Sequence, residues 1–158
     1  FGTGTHATTQ LCIQAIEKYL KKGDEVADIG TGSGILAITA IKFGAAHAIA
    51  IDNDPLVIDV AKDNAQMNNV FNKIDFMHAT ADMLIEQYDF VCANILHNVL
   101  AEIMGDLKNI MKPNAHMVLS GILDEKKDIV LEAVKKQNLN VVEILHQEQW
   151  VAIVVQKV

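Results

Sequence analysis

Arginine is absent from the 158 residues, and 13 lysines stand against 20 acidic side chains for a formal net charge of −7. A surface of that sign without guanidinium forks disfavours extended contact with a phosphate backbone. The charge suits a basic protein partner, or serves solubility alone. Cysteine is nearly as scarce. Cys12 and Cys92 are far apart in apolar surroundings, which fits neither a disulfide framework nor zinc ligation. Both are expected to be small buried hydrophobes in a reducing compartment. No apolar run approaches the roughly 20 residues that a bilayer-spanning helix needs, and no signal peptide is visible. Repeats, low-complexity tracts and linkers are also missing, so residues 1–158 are expected to form one cytoplasmic domain with no membrane contact. Half the side chains are hydrophobic, and a domain of about 150 residues buries roughly 70% of its unfolded surface, so a real core is available.

Short apolar runs alternate with helical stretches. Residues 9–20 read as a helix with Gly23 as its stop, 25–29 as a strand, and 35–43 as an almost wholly apolar helix. A second strand over 48–51 leads to Asp54-Pro55, a capping residue and a first-turn proline, and to a helix ending near Asn68. Strands are expected over 74–78, 88–94 and 116–120, with helices over 96–111 and 124–137. The last two strands, 141–146 and 150–156, lie too close for a crossover helix and must pair antiparallel. The expected fold is therefore α/β: a mostly parallel sheet of seven strands, one of them reversed, with helices on both faces.

The strongest local signal is Asp28-Ile-Gly-Thr-Gly-Ser-Gly34, which follows a strand and opens a helix. Glycines there let the backbone turn tightly and approach a ligand, beside the free N–H groups of a helix start. A dinucleotide fingerprint wants Gly-x-Gly-x-x-Gly, but the third position is Ile35 and the glycine falls one residue early, at Gly34. Asp28 stands two residues before Gly30. A carboxylate there would repel a pyrophosphate and help hold a cationic or amino-bearing ligand, which favours a nucleoside without phosphates. Asp52 closes the second strand, where a carboxylate can accept from both ribose hydroxyls. Asp54 is the better helix cap, which leaves Asp52 for the ligand. Asn94 closes the fourth strand, either facing the reacting end of a molecule bound over Gly30, Gly32 and Gly34 or capping the next helix.

Together with Asp52, the glycine turn resembles the motif pair of the class I S-adenosylmethionine-dependent methyltransferases. The opening Phe-Gly-Thr-Gly-Thr-His-Ala-Thr-Thr and Asn94-Ile-Leu narrow the resemblance to the PrmA family, over nearly the whole chain. That resemblance implies a Rossmann-like class I methyltransferase fold and S-adenosyl-L-methionine as cofactor. It implies that Thr9, Gly30, Asp52 and Asn94 hold the cofactor, with Asn94 also orienting the reacting amine, and that Gly2, Gly4, Thr5 and His6 belong to a loop lying over it. It further implies methyl transfer to amine nitrogens of a basic ribosomal protein by a monomer that makes no direct nucleic-acid contact. Family members also carry an N-terminal recognition domain, so residues 1–158 are expected to be the catalytic domain alone. One departure is His97, where family members often have a small residue; it either touches substrate or starts a helix with no further role. His47, His78, His116 and His146 lack metal-ligand spacing, and no metal site is expected. Three readings stay open: this protein N-methyltransferase, a class I methyltransferase with another substrate, and a nucleoside-binding module or nicotinamide enzyme.

Overall fold

The computed structural model describes residues 6–158. Phe1, Gly2, Gly4 and Thr5 lie outside the described residues, so the expectations placed on them are not addressed by the structure.

The strands are β1 (Glu25–Ile29), β2 (His47–Asp52), β3 (Ile74–His78), β4 (Tyr88–Asn94), β5 (Met111–Leu123), β6 (Asn140–Gln147) and β7 (Trp150–Gln156). They form one sheet in the order β3-β2-β1-β4-β5-β7-β6. All neighbours are parallel except that β7 runs antiparallel to both β5 and β6. The expected reversed strand is thus β7, inserted between two strands of the common direction. The tight turn before Trp150 makes this possible, with Glu148 taking the left-handed conformation at φ 56°.

The helices are α1 (Ala7–Tyr19), α2 (Ile35–Lys42), α3 (Pro55–Met67), α4 (His97–Glu102), α5 (Met104–Asn109) and α6 (Lys127–Lys136). The first three pack on one sheet face around Leu11, Ile16, Leu36 and Phe90. The other three pack on the opposite face around Leu100, Leu107, Met117 and Val130. Alternate strand residues feed each core, since successive side chains point to opposite faces. Asp54 accepts from the Leu56 N–H and Pro55 follows it, so α3 starts as its capping signal predicts. The helix expected over 96–111 is interrupted at Ile103, whose ψ of 11° lies two residues before the weak helix former Gly105. Strand β5 outruns its expected span. Gly121, at φ 86°, bulges out of register, and pairing with β7 resumes at Ile122.

Strand order reverses on either side of β1, so the crevice of this open sheet lies beyond the carboxyl ends of β1 and β4. Helix α1 is tied along its length to β6 and β7 at the far edge. Glu143 of β6 accepts from Lys18 Nζ at 2.8 Å and from Tyr19 Oη at 2.5 Å. Gln147 bonds Gln10, and the His6 ring meets Trp150 edge-on at 5.3 Å. These ties bring the start of α1 against the ends of β4 and β5.

Candidate functional site

A cleft of about 240 Å³ opens at the strand ends. Gly30 and Asp52 line it. Gly30, at φ 73°, has no room for a side chain: a Cβ would come within 2.5 Å of Ile95 Cγ2. The charged side chains lining the cleft are Asp52, Asp82 and Asp106, all acidic. Such a lining attracts a cationic ligand and repels a pyrophosphate.

The Asp52 carboxylate is fixed from both sides. Oδ2 accepts from Gly32 N at 3.1 Å and Oδ1 from Asp54 N at 3.1 Å. A carboxylate offers about four lone-pair sites, so these two bonds leave capacity for ligand hydroxyls. Gly34 supplies the left-handed N-cap of α2 and packs on α3, where a Cβ would lie 3.2 Å from Ala61 Cβ. Gly32 and Gly34 therefore shape the turn without lining the cleft.

Asp28 differs from its expected role. It is 1% exposed, and Oδ2 accepts from Thr31 Oγ1 at 2.8 Å and from Ala37 N at 3.2 Å. The carboxylate sits under the glycine turn and clamps it to the start of α2, rather than facing the ligand. Burial pushes its pKa up to about 6, with the two hydrogen bonds opposing the rise and the Asp52 charge adding to it. Between the unfolded value of 3.8 and about 6, the folded chain keeps a proton that the unfolded chain has lost. Stability must therefore fall as pH rises through that window, by about 3 kcal/mol for a shift of this size. Urea unfolding of Asp28→Asn and the parent at pH 4 and pH 7.5 checks this: the difference should move by about 2 kcal/mol in favour of asparagine at the higher pH, since part of the change has already occurred at pH 4. An unchanging difference would refute it.

Asn94 closes β4, and its side chain is not a helix cap: α4 begins at His97 with Leu96 at the N-cap. Asn94 Nδ2 instead donates to Thr8 Oγ1 at 3.4 Å. Among the described residues its Oδ1 is buried with no hydrogen-bond partner, and so is Thr9 Oγ1. Buried polar atoms are rarely left unpaired, so both oxygens are candidates for a bond to a ligand or a water. Beside Asn94, a Cβ on Gly121 would overlap the Ile95 carbonyl oxygen and lie 3.2 Å from Asn94 Oδ1. The missing side chain lets the Ile95 carbonyl and the Asn94 amide pack directly against the Gly121 backbone. His6 caps α1, its Nδ1 accepting from Thr8 N at 3.2 Å. His97 is half-buried at the start of α4. Cys12 and Cys92 are free and fully buried, as expected, and burial pushes the Cys12 thiol up to about 12.

Sequence reading missed several contributors. Residues 79–82 line the cleft just beyond β3, where the rule for open sheets points. Gly121 was legible as a lone glycine inside a strand pattern. Ile95 and Thr8 act through contacts that adjacency in sequence does not reveal.

The sheet order, with β7 reversed between β5 and β6 and a crevice at the strand ends, defines a Rossmann-like class I methyltransferase fold. Precorrin-6y C5,15-methyltransferase from Geobacter metallireducens has this fold, with a TM-score of 0.79 at 18% identity over 99% of this chain and 92% of that one. Residues 1–158 match the family model for ribosomal protein L11 methyltransferase (PrmA), and this chain belongs to that family. A ribosomal protein L11 methyltransferase from Dictyoglomus thermophilum is 41% identical over 155 residues, covering 98% of this chain and 51% of the relative. Its counterpart from Lachnospira eligens is 44% identical over 163 residues, covering 97% and 51%. The crystal structure of ribosomal protein L11 methylase from Lactobacillus delbrueckii subsp. bulgaricus superposes with a TM-score of 0.93 at 29% identity, over 98% of this chain and 81% of that one. The chain spans about half the length of the curated relatives it matches.

Proposed function

We propose that residues 1–158 form the catalytic domain of an S-adenosyl-L-methionine-dependent protein N-methyltransferase. Its substrate would be amine nitrogens, lysine side chains or an N-terminal amine, of a basic ribosomal protein. The observation that carries this reading is Asn94 Oδ1 at the end of β4, a buried acceptor with no hydrogen-bond partner among the described residues. An unpaired acceptor suits a nitrogen that brings its own hydrogens.

The residues present fit the cofactor. Gly30 gives close approach and Asp52 has acceptor capacity for ribose hydroxyls. The acidic lining suits a ligand that carries an ammonium and a sulfonium, and Thr9 Oγ1 awaits a partner. When bound, S-adenosylmethionine supplies an electrophilic methyl carbon on sulfur. The chain's own part is binding and orientation. An ammonium has no lone pair, so the amine must reach the site neutral. Asn94 Oδ1 then holds an N–H of the amine and turns the lone pair outward. This oxygen is not basic, and the proton leaves to water. Alignment of this kind supplies several kcal/mol, up to about 7–11 in well-oriented model reactions.

The same proposal covers partner and location: a basic protein substrate for an acidic monomer in the cytoplasm, without direct nucleic-acid contact. Calorimetric titration with S-adenosylhomocysteine, with NADH as control, tests the cofactor reading. Heat with the first alone is expected; heat with NADH alone would replace methyl transfer with nicotinamide chemistry. Transfer of a labelled methyl to ribosomal protein L11, read by peptide mass, then tests the substrate.

A further inference from the structure

The start of α1 holds a chain of hydrogen bonds whose direction is set at one end. The backbone N–H of Thr8 can only donate, and it donates to His6 Nδ1 at 3.2 Å. That nitrogen must therefore be the unprotonated, accepting one. The Thr8 hydroxyl lies 2.8 Å from the same Nδ1. With an acceptor there, the hydroxyl gives its single proton to the ring and shares the one Nδ1 lone pair with Thr8 N–H, taking the shorter contact. Its oxygen is then left with lone pairs alone toward Asn94, 3.4 Å away, so Asn94 must present Nδ2. Once Nδ2 is committed to Thr8, Oδ1 is the amide atom left over, and it is the atom that lies buried without a partner among the described residues.

Thr8 is well placed to carry this polarity. It is 0% exposed, its N–H is held by His6, and its carbonyl accepts from Ser120 Oγ at 3.0 Å. Ser120 stands in β5 opposite Asn94 and directly before Gly121. His6 is itself braced by the Trp150 ring.

The geometry points to His6 and Thr8 as positioning residues that fix the polarity of the Asn94 amide, so that an acceptor rather than a donor faces the reacting group. Without them the amide has no reason to prefer either orientation, and a flipped Asn94 would offer N–H groups to an incoming amine. The His6–Thr8–Asn94 relay thus makes the site selective for hydrogen-bearing nitrogen. Its consequence for turnover rests on the methyltransferase reading; its hydrogen-bond directions do not.

Two measurements separate these. In the 15N-labelled chain at pH 8.5, where an ordinary imidazole is neutral, His6 should show the tautomer with Nε2 protonated and Nδ1 bare. A protonated Nδ1 would overturn the relay outright, whatever the enzyme does. The Asn94 side-chain NH2 resonances should shift in Thr8→Val and return toward the parent positions in Thr8→Ser. Indifference to Thr8→Val would also overturn it. In turnover with S-adenosylmethionine and L11, Thr8→Val should lower kcat about tenfold, the scale of one lost hydrogen bond, with S-adenosylhomocysteine affinity within about twofold. Thr8→Ser should restore kcat. A serine variant as slow as the valine variant would refute the role in turnover. Failure of the parent chain to bind S-adenosylhomocysteine would instead count against the methyltransferase reading, and the tautomer would still judge the relay.

Discussion

Gly121→Ala will nearly abolish methyl transfer and weaken the fold, although it adds a single methyl group. Two effects combine at this position. The backbone sits at φ 86°, which L-residues other than glycine, asparagine and aspartate rarely adopt, and placing alanine there costs about 1–2 kcal/mol. The new Cβ would also overlap the Ile95 carbonyl oxygen and crowd Asn94 Oδ1 at 3.2 Å. The overlap is with backbone, which cannot swing aside as a side chain does, so Ile95 must move. Ile95 lines the cleft and covers Gly30. The displaced carbonyl and the crowded Asn94 amide should lower kcat about a hundredfold or more, since a shift of about 1 Å at a reacting centre has that effect. Gly23→Ala separates strain from sterics. Gly23 has φ 90°, but a Cβ there meets nothing within 4 Å, so it should lose stability and keep turnover. Equal turnover in the two variants would remove Gly121 from the site.

Much of this architecture is legible in the sequence because local signals and global topology agree. The alternation of strands and helices, the cap at Asp54-Pro55 and the short connection before Trp150 each have one economical reading, and the sheet follows from them. The assignment of Asp52 and Asp54 to different tasks was also readable, since only one of them directly precedes the proline. What escaped depends on direction and on long-range contact. Asp28 beside a glycine turn invites a ligand-facing role. Yet strand alternation puts it on the same face as Val26, toward α2, and its carboxylate closes on Thr31 and Ala37 N instead. The choice between Asn94 as cap and Asn94 as ligand group turned on Thr8, 86 residues away in sequence. The break at Ile103 arises where the helix borders the cleft, in a stretch whose periodicity reads as continuous.

Asp52→Ala and Asn94→Ala should fail in opposite ways, which makes them the sharpest division between holding the cofactor and using it. Asp52 stands at the end of β2, and both its oxygens are already fixed by backbone N–H groups of the glycine turn and of the loop before α3. A carboxylate fixed in that way meets ligand hydroxyls without further ordering. Hydrogen bonds to a charged acceptor contribute about 1.5–3 kcal/mol each, so losing two should weaken S-adenosylhomocysteine binding by about a hundredfold or more. The turn also loses its tie through Gly32 N, which adds to the loss of affinity. At saturating cofactor, kcat should recover most of its parent value. Asn94 instead presents an acceptor with no partner among the described residues, while its other amide atom is engaged with Thr8. Asn94→Ala should leave S-adenosylhomocysteine affinity within about threefold and lower kcat about a hundredfold, because orientation of the attacking nitrogen is what is lost. Calorimetry on each variant, paired with turnover at saturating S-adenosylmethionine, decides the matter. Parallel losses of affinity and turnover in Asn94→Ala would make it a cofactor ligand. The amine would then have to be held by some other partner.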